Sequence, residues 1–113
     1  MDNVYEVLMT THAETALREL AHYITYELLS PQTAVSYINI LLESIKKLDR
    51  FPNRISLIDE EPWRSYGIHQ MIVKNHYVYF WIDEENLKVQ ITDIIFARKN
   101  QREALERMPI IDN

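Results

Sequence analysis

The sequence contains no cysteine and only one glycine among its 113 residues. Without cysteine there is no disulfide framework and no thiolate chemistry, which agrees with a cytoplasmic protein. One glycine cannot supply the glycine-rich loops that cradle phosphates, nor the tight turn that presents a nucleophilic serine. Several common classes of enzyme are therefore excluded.

The chain also lacks a long apolar run. No segment approaches the roughly 20 consecutive apolar residues that a membrane-spanning helix requires, although apolar residues make up 47% of the sequence. The first residues include Asp2, Asn3 and Glu6 and do not resemble a secretory signal, which has a basic flank and an apolar core. We expect a cytoplasmic protein without membrane contact, in which residues 1–113 form a single domain.

Positive charge is scarce as well. Twelve basic side chains against seventeen acidic ones give a net charge of -5, opposite to the charge that long-range attraction to nucleic-acid phosphates needs. Any contact with nucleic acid is therefore expected to be local. Seven of the twelve basic residues form two groups, which are Lys46, Lys47 and Arg50 in the middle of the chain, and Arg98, Lys99, Arg102 and Arg107 near its end.

The four histidines are far apart in sequence, and none shows the spacing of a metal-ligand pair. They are His12, His22, His69 and His76. We therefore expect neither a metal site nor a cofactor.

The first half of the chain has a strand pattern followed by two helical patterns. Residues 4–9 are rich in strand formers. Thr11 and Glu14 have the spacing of a capping box, which predicts that a helix begins there. Apolar residues at intervals of three and four predict its buried face, which consists of Leu17, Leu20, Ala21, Ile24 and Leu28.

Ser30 and Pro31 suit the start of a second helix, because serine caps well and proline is tolerated at the first helical position. Pro52 disfavours further helix, so residues 11–50 predict an antiparallel helical hairpin and residues 53–66 a connecting loop. The predicted buried face of this second helix consists of Ala34, Val35, Ile38, Leu41, Leu42, Ile45 and Leu48.

Three strand patterns follow, at residues 68–73, 76–82 and 87–96. Short polar turns separate them, which predicts an antiparallel meander. Asp93 breaks the alternation of the last strand, which indicates a bulge or a strand end, the interpretation that we favour, or else a positioned functional carboxylate. Residues 100–113 predict a short helix and an apolar tail.

Taken together, these elements predict an α+β fold: an N-terminal strand, a two-helix antiparallel hairpin, and a three-stranded antiparallel meander that forms one small sheet packed on the helices. The nearly unbroken apolar run from residue 77 to residue 82 predicts a central strand covered on both faces. The helical hairpin covers one face. We expect the aromatic residues of the other face to meet a partner chain.

Some side chains on or near the predicted sheet could hold a phosphodiester and move a proton, since arginine stabilises negative charge and histidine or tyrosine transfers protons. The same residues could equally form a recognition surface. They are Arg64, Tyr66, His69, His76, Tyr77, Arg98 and Lys99.

The chain resembles the RelE/ParE superfamily of type II toxin–antitoxin toxins. The resemblance lies in the opening strand with Thr10-Thr11-His12-Ala13-Glu14, the hairpin with Ser30-Pro31-Gln32 at its turn, and Leu48-Asp49-Arg50-Phe51-Pro52 after it. It continues through Gly67-Ile68-His69, the strand pair from Val73 to Phe80, the acidic turn Asp83-Glu84-Glu85, and Ile94-Ile95-Phe96-Ala97-Arg98-Lys99-Asn100. These segments occur in the family's order over nearly the whole chain.

The resemblance implies a small cytoplasmic toxin that is held inactive by a cognate antitoxin, whose extended or helical segment wraps the toxin. On this interpretation Tyr79 and Trp81 on the aromatic sheet face bind the antitoxin. Members similar to RelE cleave messenger RNA in the ribosome without a metal, through basic residues on the middle strands and near the last strand. Members similar to ParE inhibit DNA gyrase. Self-association as a homodimer stays open.

The sequence departs from the RNA-cleaving branch, because the middle strands offer Gln70, Ile72 and Tyr77 where that branch has basic residues. The candidate catalytic residues are therefore Arg98 and Lys99 first, and His69, His76 and Tyr77 after them. The alternative hypothesis is a non-toxic protein-binding module, such as a decayed toxin that still binds an antitoxin or self-associates.

Overall fold

The computed structural model describes residues 3 to 111 of the chain. Two helices lie on one face of a four-stranded sheet, and a third, short helix lies on the other face. The elements are β1 (Glu6–Met9), α1 (Thr11–His22), α2 (Pro31–Lys46), β2 (His69–Val73), β3 (His76–Asp83), β4 (Lys88–Phe96) and α3 (Gln101–Arg107). The expected α+β architecture is confirmed. In the part of the chain described, no helix has the length and apolar character to span a membrane.

The sheet has the strand order β1-β4-β3-β2, in which β2, β3 and β4 form the expected antiparallel meander and β1 pairs in parallel with β4. The pairing shifts by one residue between Tyr79 and Phe80, which lie opposite Asp93 and Ile91. The bulge predicted from the break in alternation is therefore confirmed. Past the bulge, Asp93 lies on the same face of the sheet as Tyr79.

Helix α1 begins one residue earlier than the capping-box spacing predicts. Thr10 is the N-cap, and its hydroxyl oxygen accepts a hydrogen bond from the backbone N–H of Ala13 at 3.1 Å. The prediction that Thr11 caps the helix is wrong, because Thr11 is already the first helical residue. Only Thr11 has a glutamate three residues later, but the hydrogen bond from the Thr10 N–H to the Ile91 carbonyl holds Thr10 in the extended conformation that an N-cap needs.

The end of the first helical segment is a π-helical turn, Tyr23–Glu27. A π-turn has more residues per turn than an α-helix, so it rotates the following side chains away from the face that a regular spacing predicts. Ile24 is buried as expected, whereas Leu28 is 57% exposed. The prediction that Leu28 belongs to the buried face is therefore wrong.

Helix α2 lies beside α1 and buries a narrower stripe than the sequence predicts. Ala34, Leu41 and Ile45 are buried, but Val35 is 62% exposed and Leu42 is also exposed. Apolar residues at adjacent positions point about 100° apart on a helix, so one sheet face cannot cover both. The main core lies between these two helices and the sheet.

A second core lies on the opposite face of the sheet, where the chain covers itself. Tyr79 is fully buried there, among Trp63 of the connecting loop and Leu105 of α3. The indole N–H of Trp81 donates to the Ile110 carbonyl at 2.9 Å, which ties the C-terminal segment to the sheet. The expectation that this aromatic face is open to a partner is therefore wrong, and the expected short C-terminal helix is what covers it.

Candidate functional site

The histidines predicted as site residues lie on the helix-facing side of the sheet, near opposite ends of the β2–β3 pair. Val73 pairs with His76, so His69 lies four residues further along β2, a separation of about 13 Å at ~3.3 Å per residue. His69 is buried, and its Nδ1 lies 2.8 Å from the Ile55 carbonyl oxygen. Its ring stacks on Phe80. His69 is thus held as a packing residue.

His76 is buried beside Tyr37 of α2, with 2.7 Å between its Nδ1 and the tyrosine hydroxyl oxygen. The backbone N–H of Asn75 also donates to this hydroxyl, at 3.4 Å. Burial lowers the pKa of His76, since removing an imidazolium from water is costly. A neutral imidazole therefore lies at the inner wall of the surface groove next to it.

That groove, the hairpin groove, opens between the end of the helical hairpin and the end of the sheet. Its volume is about 610 Å³, and its walls are mostly apolar. The residues that line it include Leu20, Tyr23, Leu28, Tyr37, His76 and Phe96. Its rim is exposed to solvent, and the adjoining Leu29 is 81% exposed and has a positive φ of 51°. A non-glycine residue in that conformation is strained, and such strain often occurs at functional sites.

The remaining predicted site residues lie elsewhere. Tyr77 is half-buried on the opposite face of the sheet, next to Tyr79. Arg98 and Lys99 are exposed in the turn after β4. The five candidate catalytic residues do not form one constellation, and a catalytic role for them stays a prediction. Within the described strands β2, β3 and β4 the only lysine or arginine is Lys88, at the start of β4.

A pair of residues that we did not predict as partners lies at the edge of β4. The Nε2 of His12, in the first turn of α1, is 3.2 Å from the Oδ2 of Asp93. The side chain of Asp93 is buried, whereas that of His12 is 37% exposed. Burial raises the pKa of Asp93, and the nearby charges of His12 and Lys99 oppose that rise. These neighbours favour the ionised form of the carboxylate, whereas burial favours the neutral form.

The exposed side of His12 faces a cleft of about 460 Å³ between α1 and α3, which we call the α1–α3 cleft. Its polar lining comes from α1, the end of β4 and the segment that follows it. These residues are His12, Thr15, Glu19, Asp93, Lys99, Asn100, Glu103 and Arg107. Arg107 is already paired with Glu103 at 2.7 Å. Of the site residues proposed from the sequence, only two line this cleft. They are Lys99 and Asp93, which the sequence indicated as a functional carboxylate only under the less favoured interpretation.

The cleft brings together an imidazole, a buried carboxylate and a lysine, a set that can bind an oxyanion and transfer a proton. Among residues 3 to 111, which the structure describes, no cluster of three histidine or acidic side chains is arranged to hold a metal ion, in this cleft or outside it. The sequence analysis did not identify His12 as a site residue, because its partner Asp93 lies in a strand that is distant in sequence from the start of α1. The only available signal was the apolar alternation that Asp93 interrupts.

Comparisons with known proteins find the same fold. A chain of the chromosomal ParDE toxin–antitoxin system from P. aeruginosa superimposes with a TM-score of 0.67 at 18% sequence identity, and the match covers 84% of this chain and 98% of that one. A chain of the toxin–antitoxin complex RelBE2 from Mycobacterium tuberculosis gives a TM-score of 0.59 at 20% identity, covering 83% and 92%. No family model and no curated protein sequence matches this chain.

The structural matches cover more than four fifths of this chain and more than nine tenths of each of the other two. At these identities it is the fold that is shared. The fold that the order of the sequence segments predicted is therefore confirmed, and it is the fold of these chains of the ParDE system and the RelBE2 complex.

Proposed function

We propose that this protein is the toxin of a type II toxin–antitoxin pair, which inhibits growth in the cytoplasm when it is free and is neutralised when a cognate antitoxin protein binds it. The fold that it shares with chains of the ParDE system and the RelBE2 complex supports the proposal. The observation that carries it is the hairpin groove, an apolar surface that the free chain leaves uncovered.

The hairpin groove is the surface that suits an antitoxin. Tyr23, Tyr26, Leu28 and Leu29 are all more than half exposed within one short segment of the hairpin. Monomeric proteins rarely leave so many large apolar side chains together in water, and a protein partner is the usual reason. The aromatic sheet face is less suitable, because Tyr79 lies beneath the chain's own α3. An amphipathic segment of the antitoxin would bury these side chains.

A growth test examines the toxicity of the chain and its neutralisation by the antitoxin together. The chain is induced alone and together with the product of an adjacent small reading frame. We expect induction of the chain alone to slow growth and co-expression to restore it. Normal growth with soluble, folded chain in the cells would refute the proposal.

A substitution at the groove tests the docking surface. Leu28→Glu places a charge on an exposed rim position, so the fold should survive while the antitoxin loses an apolar contact and must desolvate a carboxylate. We expect the binding affinity for the antitoxin to fall at least tenfold, and growth to stay slow despite co-expression. Ile72→Glu is the matched control, because Ile72 is similarly exposed but lies on β2 away from the groove. Equal affinities for the two variants would place the docking surface elsewhere.

The target of the toxin is a separate question. Ribosome-dependent cleavage of messenger RNA needs basic groups at the scissile phosphate, and the described strands of the meander carry only Lys88. This scarcity weighs against RNA cleavage, and DNA gyrase is the other target that the resemblance implies. Gyrase inhibition predicts broken DNA after induction, whereas RNA cleavage predicts new transcript ends inside codons and loss of the effect in Arg98→Ala.

The second candidate is a non-toxic binding module, which the same scarcity of basic residues favours. A module of this kind keeps the hairpin groove and binds the antitoxin or a second copy of itself. This hypothesis predicts that cells grow normally when the chain is induced and that the chain forms a stable complex with the antitoxin or with a second copy of itself. Analytical ultracentrifugation of the purified chain distinguishes a homodimer from a complex that needs the antitoxin.

A further inference from the structure

We propose that the α1–α3 cleft is a binding site for a small phosphate ester, in which His12 and Lys99 donate hydrogen bonds to the phosphate oxygens and Asp93 positions the His12 ring. This site lies outside the hairpin groove and goes beyond the proposed function. Asp93 is a positioning residue, because it contacts the imidazole and reaches the ligand only through it.

The first argument is the way Asp93 is held. After the bulge in β4 its carboxylate lies beside the first turn of α1, where one oxygen accepts a hydrogen bond from the backbone N–H of Ile94 at 2.8 Å and the other contacts His12. An ionised carboxylate only accepts hydrogen bonds, so the Nε2 of His12 carries a proton toward it. The carboxylate therefore fixes both the orientation of the ring and the proton on Nε2. The other ring nitrogen, Nδ1, is the one that this carboxylate does not engage.

The second argument is the position of Lys99. Lys99 lines the same cleft and is close enough for its charge to lower the pKa of the buried Asp93. A phosphate bound at this end of the cleft would favour the doubly protonated form of the His12 ring, so that the imidazole and the Lys99 ammonium both donate to it. The side-chain oxygen of Asn100 accepts from the Glu103 N–H, which leaves the amide NH₂ as a further donor on this side.

The charge balance of the cleft limits the size of the ligand. Three carboxylates, of Glu19, Asp93 and Glu103, line it against two permanent cations, Lys99 and Arg107. Glu19 lies seven residues after His12 on α1, which places it about 10 Å along the helix. A polyanion that ran the length of the cleft would meet Glu19, whereas one phosphate at the His12 end does not. A cleft of about 460 Å³ has the size of a small-molecule site.

The test is an NMR titration of the purified full chain. The probes are inorganic phosphate, adenosine 5′-monophosphate and a single-stranded RNA hexamer, and the observables are the His12 imidazole and the Lys99 and Asn100 amide resonances. We expect saturable shifts with both single-phosphate probes. Equal affinities for the two assign recognition to the phosphate alone, and tighter binding of the nucleotide adds its nucleoside to the ligand. Absence of saturable shifts at these residues, or markedly tighter binding of the RNA hexamer, would overturn the proposal.

Variants separate binding from a merely structural role. Lys99→Gln removes an exposed charge without disturbing the core, and we expect at least a tenfold loss of affinity, about 1.4 kcal/mol. Lys88→Gln, an exposed lysine at the far end of β4, is the matched control and should bind as the wild type does. Asp93→Asn should weaken phosphate binding as well. If Asp93→Asn changed only the thermal stability, the His12–Asp93 pair would be a structural clamp and the positioning role would be refuted. Unchanged affinity in Lys99→Gln would refute the site.

Discussion

The second core depends on a short helix that cannot be stable alone. Seven residues are too few for an isolated helix in water, so α3 is folded because Leu105 is buried against the aromatic face of the sheet, where it is 1% exposed. We predict that Leu105→Ala destabilises the protein by about 3 kcal/mol. Removing three carbon atoms costs roughly 2.4 kcal/mol at ~0.8 kcal/mol per methylene group, and the cavity that remains adds to this.

The assay is urea unfolding followed by tryptophan fluorescence and by circular dichroism. Both tryptophans, Trp63 and Trp81, contact the second core, so fluorescence reports on it directly. A loss of about 3 kcal/mol should lower the melting temperature by roughly 10 °C in a domain of this size. Glu106→Ala is the control, because Glu106 is an exposed α3 residue paired with Arg102, and such pairs contribute about 0.5 kcal/mol. If both variants were equally stable, α3 would not be docked on the sheet.

Three further predictions concern local features. Thr10→Ala removes the cap of α1 and should cost about 1–2 kcal/mol in the free energy of unfolding. Lys74→Gly should leave the protein as stable or raise its stability by up to about 1 kcal/mol in the same assay, since Lys74 has a positive φ of 55° in a two-residue hairpin turn. Burial lowers the pKa of His76, so the unfolded chain takes up a proton more readily than the native one. The melting temperature should therefore fall as the pH drops from about 7 to about 5.5, and less so in His76→Gln.

The order and type of the elements followed from the sequence because hydrophobic periodicity and turn residues are local signals. The π-helical turn at Tyr23–Glu27 could not be predicted in this way, because the spacing of its residues is that of a regular helix. The exposure of Leu28 in the structure shows that the side chains after the turn are rotated away from the predicted buried face. The strand pattern correctly predicted that the central strand is covered on both faces. It could not predict that the second cover is α3, since nothing local distinguishes a docking helix from a solvated tail.

The candidate sites were less accessible to sequence reasoning. The break in alternation located the bulge at Asp93, yet the partnership with His12 depends on how α1 packs across the edge of β4. His69 and His76 stood out as catalytic residue types, but the register of β2 and β3 separates them and turns both toward the core. Contacts between distant segments decide such roles, and no single segment encodes them.

The most direct test of the central claim is the growth rate after induction of the chain alone, compared with induction together with the adjacent small reading frame, with soluble chain quantified in both cultures. The account predicts arrest or marked slowing with the chain alone and normal growth with both. Normal growth in both cultures at equal amounts of folded chain would contradict it.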